Sequence, residues 1–468
     1  MNKNSMSLFI IWLFSILLSS CTQKVEKEPT LDQDAFVADL KMRTFQFFWN
    51  VVDTPTMQTP DRYPTDNFSS IAATGFSIPA YIIGIENKYI TREQGALRVV
   101  SVLRWLLQSK QGIETTDVTG YNGFYYHFLK YGTGTRFKNV ELSTIDTGLL
   151  MAGILTGMSY FDGESNLEAE IRVLADSLYR RVNWNWAMNS KGYMSMGWFP
   201  DKGFIESQWA GYNEAMVLLI MAMGSPTHPI PDSSWNAWCR TYEWAGNDTL
   251  AHINFEPLFG HQYSHMFIDF RGIYDDYTKA KQIDYFENSR RATYYNRLYC
   301  IENPGKFVGY GNNIWGLTAS DGPADVNMKV GKDSVQFFSY RARGASYIHV
   351  VDDGTIAPTA AGGSIPFAPE ICIPALHAMY TQYGEHIYKE YGFVDAFNLT
   401  YINPLTNVKG WYDPDYLGID QGPILIQLEN MQTGLIWNIL KKNPYIISGL
   451  QKAGFKGGWL DKLPQKDI

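Results

Sequence analysis

The chain has 468 residues, of which 45% are hydrophobic and 18% charged, with a formal net charge of −8. That balance excludes a disordered chain and, with no basic block, a nucleic-acid-binding surface. The length is enough for one large or two ordinary domains.

Lys3 precedes an apolar run over residues 8–18, followed by Leu18-Ser-Ser-Cys21. A basic start and a run this short read as a signal peptide rather than a membrane span, which needs about 20 residues. Small residues before a cysteine resemble a lipobox. The expectation is cleavage after residue 20, lipidation of Cys21, a polar tether over 21–30 and one catalytic domain over 31–468. The protein would then sit in a bacterial cell envelope, held to the membrane by its lipid alone.

From residue 31, helical spacing predicts a helix over 32–52, with Phe36, Leu40, Phe45 and Phe48 on one face. Thr91 reads as the N-cap of the next, with Glu93 in its first turn. Helices follow over 143–161, 166–182, 209–223, 233–246, 277–298, 366–383, 424–441 and 444–453. Strand signals are confined to 123–131, 192–199 and 306–310. Stretches 145–157 and 215–223 are apolar nearly all round, so they are buried on more than one side. A double ring of inner and outer helices, an all-α (α/α)6 toroid with a few short β-hairpins in its loops, satisfies this pattern. An α-solenoid competes with it, but no 34-residue repeat is present.

Aromatics are abundant: 14 Trp, 30 Tyr and 26 Phe. Many stand beside Gly, Asn and Asp, which suits stacking on sugar rings as well as a core. Cys239, Cys300 and Cys372 share no CxxC spacing and read as buried free thiols.

Single carboxylates stand where buried helices begin. Glu214 precedes the run from Ala215, with Glu206, Gln208, Trp209, Tyr212 and Asn213 around it. Apolar walls raise a carboxyl pKa, and a neutral carboxylic acid is what protonates a glycosidic oxygen. The plain alternative is a glutamate serving only the helix dipole. Asp146, among Ser143, Thr144 and Thr147, begins another such helix and reads equally as an N-cap. Asp420 precedes a third, which contains Glu429. Two carboxyls across one scissile bond are what glycoside hydrolysis requires. His261 and His265 have the i, i+4 spacing of a zinc pair, but no HExxH and no third ligand accompany them. With Gln262, Asp269 and Arg271 they read as a polar strip for hydroxyls or as a buried network. Trp315 and Asp321 lie in a Gly/Asn-rich loop suited to presenting a ring and an acid to a sugar. Asp352 and Asp353 open a long Gly/Pro/Ala loop. No metal or cofactor is expected.

The stretches GFYYHFL, STIDTGLL, WFPDKGFIESQWAGYNEAM, EPLFGHQYSHMFIDFRGI, YGNNIWGLTASDGP, APTAAGGSIPFAPE and YLGIDQGPILIQLEN resemble, in order, the glucoamylase-like domain family, which includes bacterial β-1,2-glucanases. The resemblance spans about residues 35–455. It implies an (α/α)6 barrel and an inverting hydrolase of β-1,2-glucan or its oligosaccharides, endo- or exo-acting. Glu214 matches the general acid and Asp146 an important acidic cleft residue; Asp146, Asp420 or Asp352 would serve as base, Asp146 first. A monomer is expected. A non-catalytic glycan-binding lipoprotein and a toroidal lyase are the competing functions; the acidic chain disfavours the lyase.

Overall fold

The computed structural model describes residues 31–65, 68–246 and 249–463. The leader, Cys21 and the tether lie outside the described residues. No helix among them is long and apolar enough to cross a membrane.

The described residues form fifteen α-helices with short strands between them. The first eight are α1 (Gln33–Asn50), α2 (Ile71–Glu86), α3 (Arg92–Gln108), α4 (Thr144–Tyr160), α5 (Asn166–Arg181), α6 (Met216–Gly224), α7 (Ser233–Cys239) and α8 (Phe259–Phe267). The rest are α9 (Asp276–Lys281), α10 (Tyr285–Glu302), α11 (Pro358–Gly362), α12 (Pro369–Ile387), α13 (Gly418–Thr433), α14 (Leu435–Leu440) and α15 (Pro444–Lys452).

Helix α2 packs on α4, α4 on α6, α6 on α8, and α13 on both α8 and α2. Helix α11 joins this circuit. It packs on α13, and Gln262 of α8 donates to the Ala360 carbonyl of α11 and to Ser364 just beyond it, at 2.9 and 2.8 Å. The sequence explains the burial. Helices α2, α4 and α6 are apolar round nearly their whole circumference, and almost every residue in them is buried. Outside the circuit, α1 packs on α2 and α13, α3 on α2 and α5, α5 on α4, α10 on α8, α12 on α11 and α15 on α6. These outer helices carry polar outward faces, as in α5, where only Glu168, Ile171, Ala175, Leu178 and Tyr179 are buried.

Glycines set the closest crossing. A Cβ at Gly75 of α2 would lie 2.6 Å from the Leu149 carbonyl oxygen of α4, and one at Gly153 would lie 1.9 Å from the Gly75 oxygen. No side chain can yield there, because backbone meets backbone. Gly153→Ala is therefore expected to destabilise the fold by about 1–3 kcal/mol or more. Denaturant unfolding checks this; a midpoint equal to wild type would show that the helices can part without cost.

An antiparallel five-stranded sheet lies before and after α4 in the chain, in the order Gly120–Tyr121, Phe124–Tyr126, Leu142–Ser143, Gly197–Phe199, Gly203–Phe204. Its register pairs Tyr125 with Ser143 and Tyr126 with Leu142, which delivers the start of α4 beside His127.

Several elements differ from the sequence reading. Helix α2 was not expected: Pro79, two glycines and no polar face hid its period. Helix α6 begins at Met216 rather than 209, because Gly211 takes φ 76° and Asn213 Oδ1 accepts the Ala215 N–H in a local turn. The helix expected over 424–441 is two, α13 and α14, separated at Gly434 with φ 68°. The segment 233–246 is helical only to Cys239, and 306–310 forms no strand. Cys239, Cys300 and Cys372 are buried free thiols, as expected.

Candidate active site

The residues leading into the circuit helices carry the acids. Ser143 caps α4: its Oγ accepts the Asp146 N–H at 3.2 Å, and its hydroxyl donates to the Asp146 carboxylate. Asp146 is buried in the first turn, where helix N–H groups favour an anion. The other side of Asp146 faces His127, whose Nε2 is 3.6 Å from Oδ1. His127 Nδ1 is 2.8 Å from Glu141 Oε1, and the ring stacks on Phe128 at 3.9 Å. Burial disfavours charge on this imidazole, but Asp146, Glu141 and Asp61 outweigh it and raise its pKa to about 9. His127 is therefore a cation at neutral pH.

Glu214 stands in the turn before α6. Its carbonyl accepts from Ser264 Oγ of α8 at 2.9 Å, which locks that turn onto the neighbouring helix. Oε2 of its carboxyl is buried without a hydrogen-bond partner among the described residues. Burial, with some help from the Asp146 charge, pushes the Glu214 carboxyl up to about 7. Near neutral pH a large fraction of it holds a proton.

Asp420 lies in the first turn of α13, with Oδ2 also buried and without a donor among the described residues. Burial and the nearby Asp321, Asp61 and Asp413 raise its carboxyl, while a side-chain hydrogen bond with Asp395 works the other way. Tyr263, on α8, feels the charges of Asp420, Glu214 and Asp146 together. Its hydroxyl donates to the Ile419 carbonyl at 3.2 Å. The three carboxyls thus lie near enough to one phenol to act on it electrostatically.

Beside Asp420 lies a dense acidic group. Arg62 bonds Asp321 at 2.7 Å and Asp61 at 3.2 Å, with Asp415 at 4.0 Å. Carboxylate oxygens of Asp321, Asp395 and Asp413 lie within 4.8 Å of one another. Burial raises the carboxyls of Asp395 and Asp413; the charges of Asp420 and Asp321 raise Asp395 further, and those of Asp395 and Asp321 raise Asp413; Asp61 is pushed up to about 6 by burial against the pull of Arg62. Arg62 and retained protons supply the counter-charge here, so these acids are not assigned as metal ligands. Tyr340, paired in register with Asp321, is 51% exposed and lies close enough to feel Asp420, Asp395 and Asp61. It is an aromatic face available above an acidic floor.

The structure thus brings together Asp146, Glu214, Asp420 and Asp321 of the residues singled out in the sequence. It corrects several others. Trp315 is 0% exposed and presents no ring to a cleft. Tyr212 is buried against Trp238 and Tyr285, with its hydroxyl on Ser289. His261 bonds the Phe255 carbonyl and His265 bonds Ser289, both buried, and Gln262 laces α8 to α11. Asp269 and Arg271 pair beyond the last turn of α8, the end opposite the acids, with Lys441 on Asp269 and Arg271 over Trp437. These seven side chains hold the scaffold. Trp209 is buried and donates to Thr144 Oγ1 at 2.9 Å, bracing the start of α4. Asn213 serves its local turn, Gln208 accepts from Asn189, and Glu206 is exposed. Asp352 accepts from the Tyr310 hydroxyl and the Gly354 N–H, and Asp353 is bound to Arg343; neither faces Glu214. Sequence reasoning missed His127, Asp61, Arg62, Tyr263, Tyr340, Asp395 and Asp413. Asp395 carried the one available signal, a lone acid between apolar residues.

The Glycoamylase family model matches residues 206–444. The chain is similar to the exo β-1,2-glucooligosaccharide sophorohydrolase (non-reducing end) of Parabacteroides distasonis, with 29% identity over 93% of this chain. It spans 59% of that protein's length. Among solved structures, it is similar to the endo-β-1,2-glucanase of Chitinophaga pinensis, determined with sophorotriose and glucose, at 29% identity and a TM-score of 0.79, covering 92% of this chain and all of that one. A Bacteroides uniformis protein of known structure is 33% identical with the same TM-score and coverage.

Proposed function

Because this chain belongs to the glycoamylase family, and its relatives act on β-1,2-glucans, we propose that it is an inverting glycoside hydrolase of β-1,2-glucan or its oligosaccharides. The observation that carries this reading is Glu214: a carboxyl at the turn before a buried helix, raised to about 7 by burial and by the Asp146 charge. Such a group can donate a proton to the leaving glycosidic oxygen at neutral pH.

A base needs an unengaged lone pair. Both Asp146 oxygens already face donors, Ser143 and His127. Asp420, in the first turn of α13, accepts from no N–H or hydroxyl side chain among the described residues, so Asp420 is assigned the proton of the attacking water. Asp146 then helps hold Glu214 protonated. Tyr340 and the acids around Arg62 bind the glucosyl units. The circuit of α2, α4, α6, α8, α11 and α13 inside an outer layer supports an (α/α)6 ring whose inner-helix entries line the cleft. The lipobox before Cys21 supports an envelope lipoprotein tethered through residues 21–30.

The test is product formation from linear β-1,2-glucan over a pH series. Since the general acid must be protonated, kcat/KM should fall as pH rises through about 7. Activity still rising above pH 9, or no product at any pH, would overturn the reading.

A further inference from the structure

We propose that Tyr263 and Ser264, adjacent on α8, are positioning residues that set the separation of the acid Glu214 and the base Asp420 by holding the backbone where each of them stands. The inference rests on the roles given to Glu214 and Asp420 above.

The helix starts that carry the three acids are built differently. Helix α4 is capped from within, by Ser143. Helices α6 and α13 have no side-chain cap of their own, although a helix start leaves several N–H groups without intrahelical partners. Ser264 supplies the missing cap to α6 from the neighbouring helix. Its Oγ accepts the Val217 N–H at 2.9 Å, the kind of bond an N-cap side chain ordinarily makes, and its hydroxyl donates to the Glu214 carbonyl at 2.9 Å. One oxygen thus joins the turn of Glu214 to the first turn of α6. Tyr263 holds the start of α13: its hydroxyl donates to the carbonyl of Ile419, the residue before Asp420, at 3.2 Å. Thr359 of α11 donates to the Asp420 carbonyl itself at 3.1 Å.

Successive helix residues stand about 100° apart, so positions 263 and 264 face two different neighbours, and α8 packs on both α6 and α13. Both side chains are buried, and the Tyr263 ring packs against Phe76 and Phe259 at centroid distances of 5.8 and 5.4 Å. Helix α8 is thereby a spacer from which the acid and the base each hang by a backbone carbonyl. Because the grip is on carbonyls and not on carboxyls, it holds whether or not Glu214 carries its proton. A reacting group misplaced by about 1 Å can lose roughly 10²-fold in rate.

Ser264→Ala and Tyr263→Phe each remove one hydroxyl and leave the carboxyls in place. Each is expected to lower kcat on β-1,2-glucan by roughly 10- to 10²-fold, with KM within about twofold of wild type. The two losses should differ in kind. Ser264→Ala misplaces the proton donor, so an activated aryl sophoroside, whose leaving group needs no protonation, should recover most of its rate. Tyr263→Phe misplaces the base, so the same substrate should recover none of its loss. Ser264→Thr keeps the hydroxyl and should restore most of the kcat that Ser264→Ala loses. Amide hydrogen exchange reads the clamp without turnover: Val217 should exchange roughly fivefold faster or more in Ser264→Ala, and at the wild-type rate in Tyr263→Phe. Full activity of either hydroxyl-deleted variant would overturn the proposal. So would equal recovery of both on the aryl substrate, or a rise in KM as large as the fall in kcat, since a merely loosened scaffold gives those results. A wild type that cleaves no β-1,2-glucan would remove the roles of Glu214 and Asp420 and this proposal with them, whereas unchanged Val217 exchange in Ser264→Ala would remove the clamp alone.

Discussion

Glu214→Gln is expected to keep the fold and lose turnover by roughly 10²–10⁴-fold. The glutamine preserves the shape of the side chain and the Ser264 bond to the Glu214 carbonyl, so the turn before α6 should stand. What disappears is the transferable proton. The loss should fall on kcat, because a large fraction of the wild-type carboxyl is already neutral near pH 7 and a neutral amide leaves substrate binding similar. A leaving group that needs no protonation, such as an activated aryl sophoroside, should recover much of the rate. A variant within threefold of wild type on β-1,2-glucan would remove Glu214 from the chemistry.

The largest stability effect is expected at Arg343. Its guanidinium and the Asp353 carboxylate are both 0% exposed and joined by two bonds of 2.7 and 2.8 Å. The remaining N–H groups hold the carbonyls of Ser320 at 2.8 Å and Phe338 at 3.0 Å. One cation thus pins the paired strands Ala319–Asp321 and Tyr340–Ala342 to the loop that enters α11. Arg343→Leu strands Asp353 without its partner, and breaking a buried pair from one side costs about 3–5 kcal/mol. The double variant Arg343→Leu with Asp353→Leu should recover part of that loss. Urea unfolding reads both; a single-variant loss below about 1 kcal/mol would show that water or another group replaces the guanidinium. Activity should fall as well, because Asp321 and Tyr340 sit on the strands that Arg343 holds.

The three principal acids were legible because each stands in or just before the first turn of a buried helix. That pattern needs no tertiary knowledge, since a charge there must face either a cleft or a cap. Helix α2 was hidden for the opposite reason. With every side buried it shows no amphipathic period, and Pro79 and its glycines read as breaks. Trp315 illustrates a different limit. Glycine and asparagine around a tryptophan suggested an exposed platform, yet the segment passes beneath α11, where a Gly316 Cβ would lie 2.9 Å from the Ala357 carbonyl oxygen. Tyr263 stands between the two histidines that drew attention. Histidine spacing suggested a ligand pair, but His261 and His265 point to carbonyl and hydroxyl partners in the scaffold while the Tyr263 hydroxyl reaches the Ile419 carbonyl beside Asp420. Arg62, on the short strand Arg62–Tyr63, is far in the chain from Asp395 and Asp413, which lie in loops, and only folding places them together.

Stereochemistry tests the central claim most directly. Glu214, Asp146 and Asp420 stand at the starts of three different helices, which suits an acid and a base separated widely enough to admit water, about 6.5–9.5 Å against about 5–5.5 Å in a retaining pair. Proton NMR of β-1,2-glucan hydrolysis in the first minutes, before mutarotation, reads the anomer released. The account predicts that the α-anomer accumulates first. Initial accumulation of the β-anomer would contradict it, because a covalent intermediate would then be required and neither the acid role of Glu214 nor the base role of Asp420 could stand as assigned.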